Sequence, residues 1–92
     1  MAQTFDGVKD PEEIRDFGIN WLPDLGIKTI SSSVWTVVSG TVVITGQSNT
    51  NSQTVVRVSG GADKENASLR NHIVLSSGEE LELTCKLKIR SK

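Results

Sequence analysis

The side chains that could carry out chemistry in this chain are few and far apart. His72 is the sole histidine and Cys85 the sole cysteine among 92 residues. A closed zinc site needs four nitrogen or sulfur ligands, and these two cannot assemble one. Cys85 would act as a nucleophile only beside a base that lowers its pKa, and its sequence neighbourhood supplies none. It reads instead as a small buried hydrophobe. Glu12 with Glu13, and Glu79 with Glu80 and Glu82, would work as general acid–base pairs only in a cleft that raises one pKa. They lie at a helix start and beside a turn, where solvated charge is the simpler reading. Gly60-Gly61 lacks the spacing and following helix of a phosphate loop. Ser31-Ser32-Ser33 has no histidine near it in sequence. The expectation is no catalytic residue, no metal ligand and no cofactor.

What remains is the capacity to bind other proteins. Trp21, in Ile19-Asn20-Trp21-Leu22-Pro23, is a candidate contact, because aromatic anchors dominate interface energetics. Trp35 reads as core. Residues 1–26 hold Asp6, Asp10, Glu12, Glu13, Asp16 and Asp24 against Lys9 and Arg15, whereas Lys86, Lys88, Arg90 and Lys92 crowd the C-terminus. The candidate partner-binding residues are thus Trp21, Asp10, Glu12, Glu13, Lys86, Lys88 and Arg90. Ends of opposite sign could steer head-to-tail packing between copies; lysines on an edge strand would also discourage aggregation.

These residues must be positioned by a mostly β framework. Asp10-Pro11-Glu12-Glu13 has the form of an N-cap, a proline at the first helical position, and carboxylates near the positive helix end. One helical turn is therefore expected there, running into a strand near Asp16 to Leu22, where Phe17, Ile19 and Trp21 alternate. Strands follow at Lys28 to Val38, at Thr41 to Thr45 closed by Gly46, at Thr54 to Ser59 and at Leu69 to Leu75. Gln47 to Ser52 and Ala62 to Ala67 read as loops, and Ser76 to Glu79 as a turn. In Glu80 to Arg90, Leu81, Leu83, Cys85, Leu87 and Ile89 alternate with charged or polar residues. Period two places the first set on a core and the second in water. With the preceding strand it makes a hairpin. The fold class expected is all-β: a small immunoglobulin-like sandwich of about six to seven antiparallel strands. Residues 1–26 form an acidic arm and residues 27–92 the sandwich body of a single domain.

Composition narrows the function further. A formal net charge of −1 gives no polycationic surface for phosphates, so no nucleic-acid partner is expected. No apolar run approaches the ~20 residues of a membrane span, and Met1 to Gly7 is too polar for a secretory leader. A lone cysteine excludes an internal disulfide and fits synthesis in a reducing cytoplasm.

Four segments then carry a resemblance. They are D-P-E-E-I-R-D-F-G-I-N-W (Asp10 to Trp21), T-I-S-S-S-V-W-T-V (Thr29 to Val37), T-V-V-R-V-S-G-G (Thr54 to Gly61) and N-H-I-V-L-S-S-G-E-E-L-E-L-T (Asn71 to Thr84). In this order they resemble a family of small phage virion proteins described as fibre–tail adaptors, over Asp10 to about Arg90. Two stretches differ from the family's pattern: A-D-K-E-N-A-S-L after the glycine pair, and Glu-Glu after the hairpin glycine. The resemblance implies a structural protein of a tailed-phage virion, made in the host cytoplasm. It would dock tail or fibre components at the head–tail or tail–fibre junction in several copies, with portal, tail or fibre proteins and copies of itself as partners. A capsid cement protein is the alternative. A carbohydrate-binding module would want exposed aromatics, and the chain has only two Trp, two Phe and no Tyr.

Overall fold

A computed structural model describes residues 6–91. Seven strands and one helical turn form two packed sheets: β1 (Asp6–Lys9), β2 (Arg15–Asn20), α1 (Leu22–Leu25), β3 (Ile30–Ser39), β4 (Val42–Asn49), β5 (Gln53–Gly60), β6 (Asn66–Leu75) and β7 (Glu80–Ile89). The sheets have orders β1-β7-β6-β3 and β2-β5-β4. The orders β2-β5-β4 and β7-β6-β3 are those of the two sheets of an immunoglobulin sandwich, but the first strand lies beside the last instead of beside the second. That pairing is parallel, Gly7 opposite Leu87, so the expectation of an all-antiparallel sandwich is corrected at this one edge.

Alternation decides the faces. Along β7, Cys85, Leu87 and Ile89 are buried and Leu81 and Leu83 partly so, while Glu80, Glu82, Thr84, Lys86 and Lys88 are exposed. Leu69, Ile73 and Leu75 of β6 repeat the pattern in register, and Val56 and Val58 of β5 meet them from the other sheet. Trp35 lies in this core, as its sequence setting predicts. The β6–β7 hairpin closes over Ser76 to Glu79, with Leu75 N donating to Glu79 O and Gly78 taking a positive φ of 93° that favours glycine.

Several features differ from the sequence reading. Asp10 to Glu13 is a single turn and not a helix. Asp10 Oδ1 accepts from Glu12 N (2.8 Å) and Glu13 Oε1 accepts from Asp10 N (2.9 Å). That is the reciprocal capping expected at a helix start, but the chain leaves into β2 straight away. The helical turn is instead α1, where Pro23 sits in the first turn, a position without need of its missing N–H. β4 does not stop at Gly46: a bulge between Ile44 and Gly46 bends it and carries it to Asn49, leaving a shorter loop. Asn66 and Ala67 belong to β6, which shortens the second loop as well. Finally, β7 is an interior strand, so its lysines do not guard an edge.

Residues 6–26, the described part of the acidic arm, supply one strand to each sheet, and Ile19, Trp21 and Leu25 to the common core. Two exposed edges are covered by side chains. Gln47 accepts from Trp35 N at 2.9 Å and donates to Trp35 O at 3.3 Å, filling the place of a neighbouring strand on β3. Arg15 reaches Val8 O on β1 at 3.4 Å.

Candidate docking surfaces

The molecule is elongated, 41 × 22 × 18 Å, and its two ends differ in chemistry. One end gathers α1, the Thr50–Ser52 loop and the β6–β7 turn, tied by Trp21 N to Ser52 O, Ile30 N to Asn51 O and Ser76 N to Thr29 O. Leu22 is largely exposed there and Ile27 fully so. Lys28 pairs with Glu79 beside them, and that pairing holds the Glu79 carboxyl below its ordinary pKa.

Trp21 lies at the same end, but it is buried. Its Nε1 donates to Asn71 Oδ1 at 2.9 Å. The expectation of Trp21 as a partner contact is corrected: the ring is buried, because β6 supplies an acceptor in the core for its one polar atom. Asn71 Oδ1 also accepts from Thr54 Oγ1 (2.8 Å), and its Nδ2 donates to Ser33 Oγ (2.9 Å) and Val34 O (3.2 Å). One buried amide thus ties both sheets and the strand end. Sequence reading passed over Asn71, because only contacts with residues 17 to 50 positions away reveal it.

The other end gathers the Asp10–Glu13 turn, the Gly61–Glu65 loop and the end of β7. Arg90 N donates to Lys9 O and Ile89 N to Glu65 O. The acidic turn and the basic C-terminal strand, which sequence position puts at opposite ends, therefore meet at one end. Lys9 anchors them. It is wholly buried, and its Nζ donates to Gly60 O (2.6 Å), Asp10 O (2.9 Å) and, more weakly, Pro11 O (3.5 Å). Burial pushes its pKa below the usual lysine value, against the pull of Glu13, Asp10 and Glu12. Glu65 accepts from Ala62 N, Thr41 N and Thr41 Oγ1, which lowers its pKa. Arg90 is committed within the fold: its guanidinium donates to Ile89 O, Glu65 O and Asn66 Oδ1. Lys86 and Lys88 project from the outer face of β7, framing a depression of about 290 Å³ with Asn66 and Ser68 of β6.

Farther along that face, His72 is clamped between two carboxylates. Its Nε2 lies 2.7 Å from Glu80 Oε1 and its Nδ1 3.1 Å from Glu82 Oε2, with Arg70 3.4 Å from Glu82. Hydrogen bonds to Glu82 and Glu80 raise the His72 pKa above 6.5. A raised folded-state pKa contributes stability that is complete below the unfolded value and is lost as pH rises through the folded one. Wild type should therefore exceed His72→Gln in Tm most below about pH 6, with the gap closing at higher pH. A gap independent of pH would show that the clamp does not depend on the imidazolium.

A second depression, about 170 Å³, lies on the other sheet between the β4 bulge and the Arg57–Asp16 pair (2.8 Å). Among the described residues no group of three or more His, Cys, Asp or Glu could hold a metal ion, and no helix is long and apolar enough to cross a membrane. The model of the family described as Podophage GP4 fiber-tail adaptor protein gp77 matches residues 9–88. No curated protein matches the chain.

Proposed function

This chain belongs to the podophage fibre–tail adaptor family, and we propose on that premise that it is a structural virion protein docking tail or fibre components at the tail junction in several copies. Membership in that family supports a structural tail role, and a structural role needs no catalysis. The observation that carries the reading is the extent of the match: residues 9–88 span both sheets and both ends of the sandwich. An adaptor must present separate surfaces to unlike partners. The exposed Leu22 and Ile27 at one end, and the charged face and acidic turn at the other, fit that requirement.

Quantitative mass spectrometry of purified particles tests it. An adaptor placed around the tail axis should be present in about a dozen copies or a small multiple of the tail symmetry. Hundreds of copies would instead identify a cement protein of the shell, and absence from the particle would remove the virion role.

A further inference from the structure

The charges at the Lys9 end make a pattern that a single chain leaves only partly matched, since three carboxylates share the Lys9 ammonium. Arg70 is engaged by Glu82 and Arg90 by backbone carbonyls and Asn66. Lys86 and Lys88 have no hydrogen-bond or ion-pair partner among the described residues. The Glu12 side chain, exposed at the tip of the acidic turn, makes no hydrogen bond or ion pair either, and shares the single buried Lys9 ammonium with Glu13 and Asp10. The turn and the lysines are neighbours in space but face different ways. Lys88 sits opposite Val8 of β1 in the outer face of the sheet, and the turn leaves from the end of β1 toward the other sheet.

Adjacent patches of opposite sign on one surface suit a two-fold pair. When a copy is turned half a revolution, each acidic turn comes over the other's lysines, and the contact is made twice. Patches at opposite ends would instead build an open head-to-tail row. We propose that two copies of this chain pair about a two-fold axis at this end of the sandwich, the Glu12 turn of each against Lys86 and Lys88 of the other. The depression framed by Lys86, Lys88, Asn66 and Ser68 receives the carboxylates, and complementary charge sets the register. Such a pair leaves the two Ile27 ends pointing away from each other, each open to an unlike partner. This deepens the adaptor reading by naming the surface between copies. It can fail while the particle stoichiometry stands, and the reverse also holds.

Sedimentation equilibrium of the full chain tests the pair. Wild type should dimerise, and raising ionic strength from about 0.05 to 0.5 M should weaken the dimer at least about tenfold, because exposed charges are screened. Glu12→Lys alone, and Lys86→Glu with Lys88→Glu, should each be monomeric under conditions where wild type is dimeric. These are exposed positions, and an unchanged circular dichroism spectrum would confirm that the variants fold. Mixing the two variants should then restore a one-to-one dimer, since each now carries the charge the other lacks. A wild type that stays monomeric at submillimolar concentration overturns the proposal. So does a dimer indifferent to both reversals, or a mixture that stays monomeric.

Discussion

Replacing Asn71 by leucine should destabilise the protein by roughly 3–5 kcal/mol, since buried polar groups left without partners cost about 1–3 kcal/mol each. The side chain is fully buried and makes four hydrogen bonds. Leucine keeps the branching of asparagine, but its methyl groups need about 3.5–4.0 Å where the amide is approached to 2.8–2.9 Å, so overpacking adds to the loss. The larger part of the loss comes from Trp21 Nε1, Thr54 Oγ1 and Val34 O, which would be stranded in a low-dielectric interior. Small domains hold only about 5–15 kcal/mol in all, so urea melts should show a large fall in midpoint. Coupling makes the test specific. Trp21→Phe removes the indole donor, so the double variant should lose less than the sum of the two single losses. Strict additivity would show that the Trp21–Asn71 bond contributes nothing. A loss below about 1 kcal/mol for Asn71→Leu would show that water or relaxation replaces the network.

Lys9→Met should cost roughly 2–4 kcal/mol by the same reasoning, here because backbone carbonyls of Gly60 and Asp10 lose a charged donor. Methionine keeps the aliphatic stem packed, so the loss belongs to the ammonium. The opposing effect is desolvation, which lowers the lysine pKa in the fold. A lysine whose folded pKa lies below the unfolded value is penalised while charged. Stability from this group therefore rises as pH climbs from the folded pKa toward the unfolded value of 10.5. The stability difference between wild type and Lys9→Met should accordingly grow over that alkaline range. Equal stability of the two proteins at neutral pH would mean that desolvation cancels the three hydrogen bonds. A difference that shrinks as pH rises would reverse the sign argued here.

Both residues mark the limit of what local sequence could reveal. The strand character and inward face of β7 were legible because period two is a property of neighbouring residues, and Leu81 to Ile89 state it without reference to the rest of the chain. The same holds for the turn at Ser76 to Glu79, whose glycine carries the positive φ. The burial of Trp21 is not legible locally, because its environment is made by Asn71 and the Thr54 strand, which chain position places far away. Gln47 stands in a polar run that resembles a loop, whereas the bulge at Gly46 turns it into a cover for the β3 edge. Lys9 gave no signal: its charge predicts solvent, and only the approach of Gly60 and the Asp10–Pro11 backbone makes a buried ammonium tolerable.

Residue order alone marks a small all-β chain with a two-sided closing hairpin and the ordered motifs of a phage adaptor. Those properties depend on residue type and short-range spacing, which tertiary contacts do not alter. The arrangement of the charges comes from strand pairing between distant segments. The parallel pairing of Asp6–Lys9 with Lys86–Ile89 carries the N-terminal acidic turn back to the C-terminal lysines. That pairing joins residues some 80 positions apart, and no local pattern encodes it. It turns two oppositely charged chain termini into adjacent patches at one end of the molecule, because hydrogen bonding along a sheet edge, and not distance along the chain, sets which side chains become neighbours.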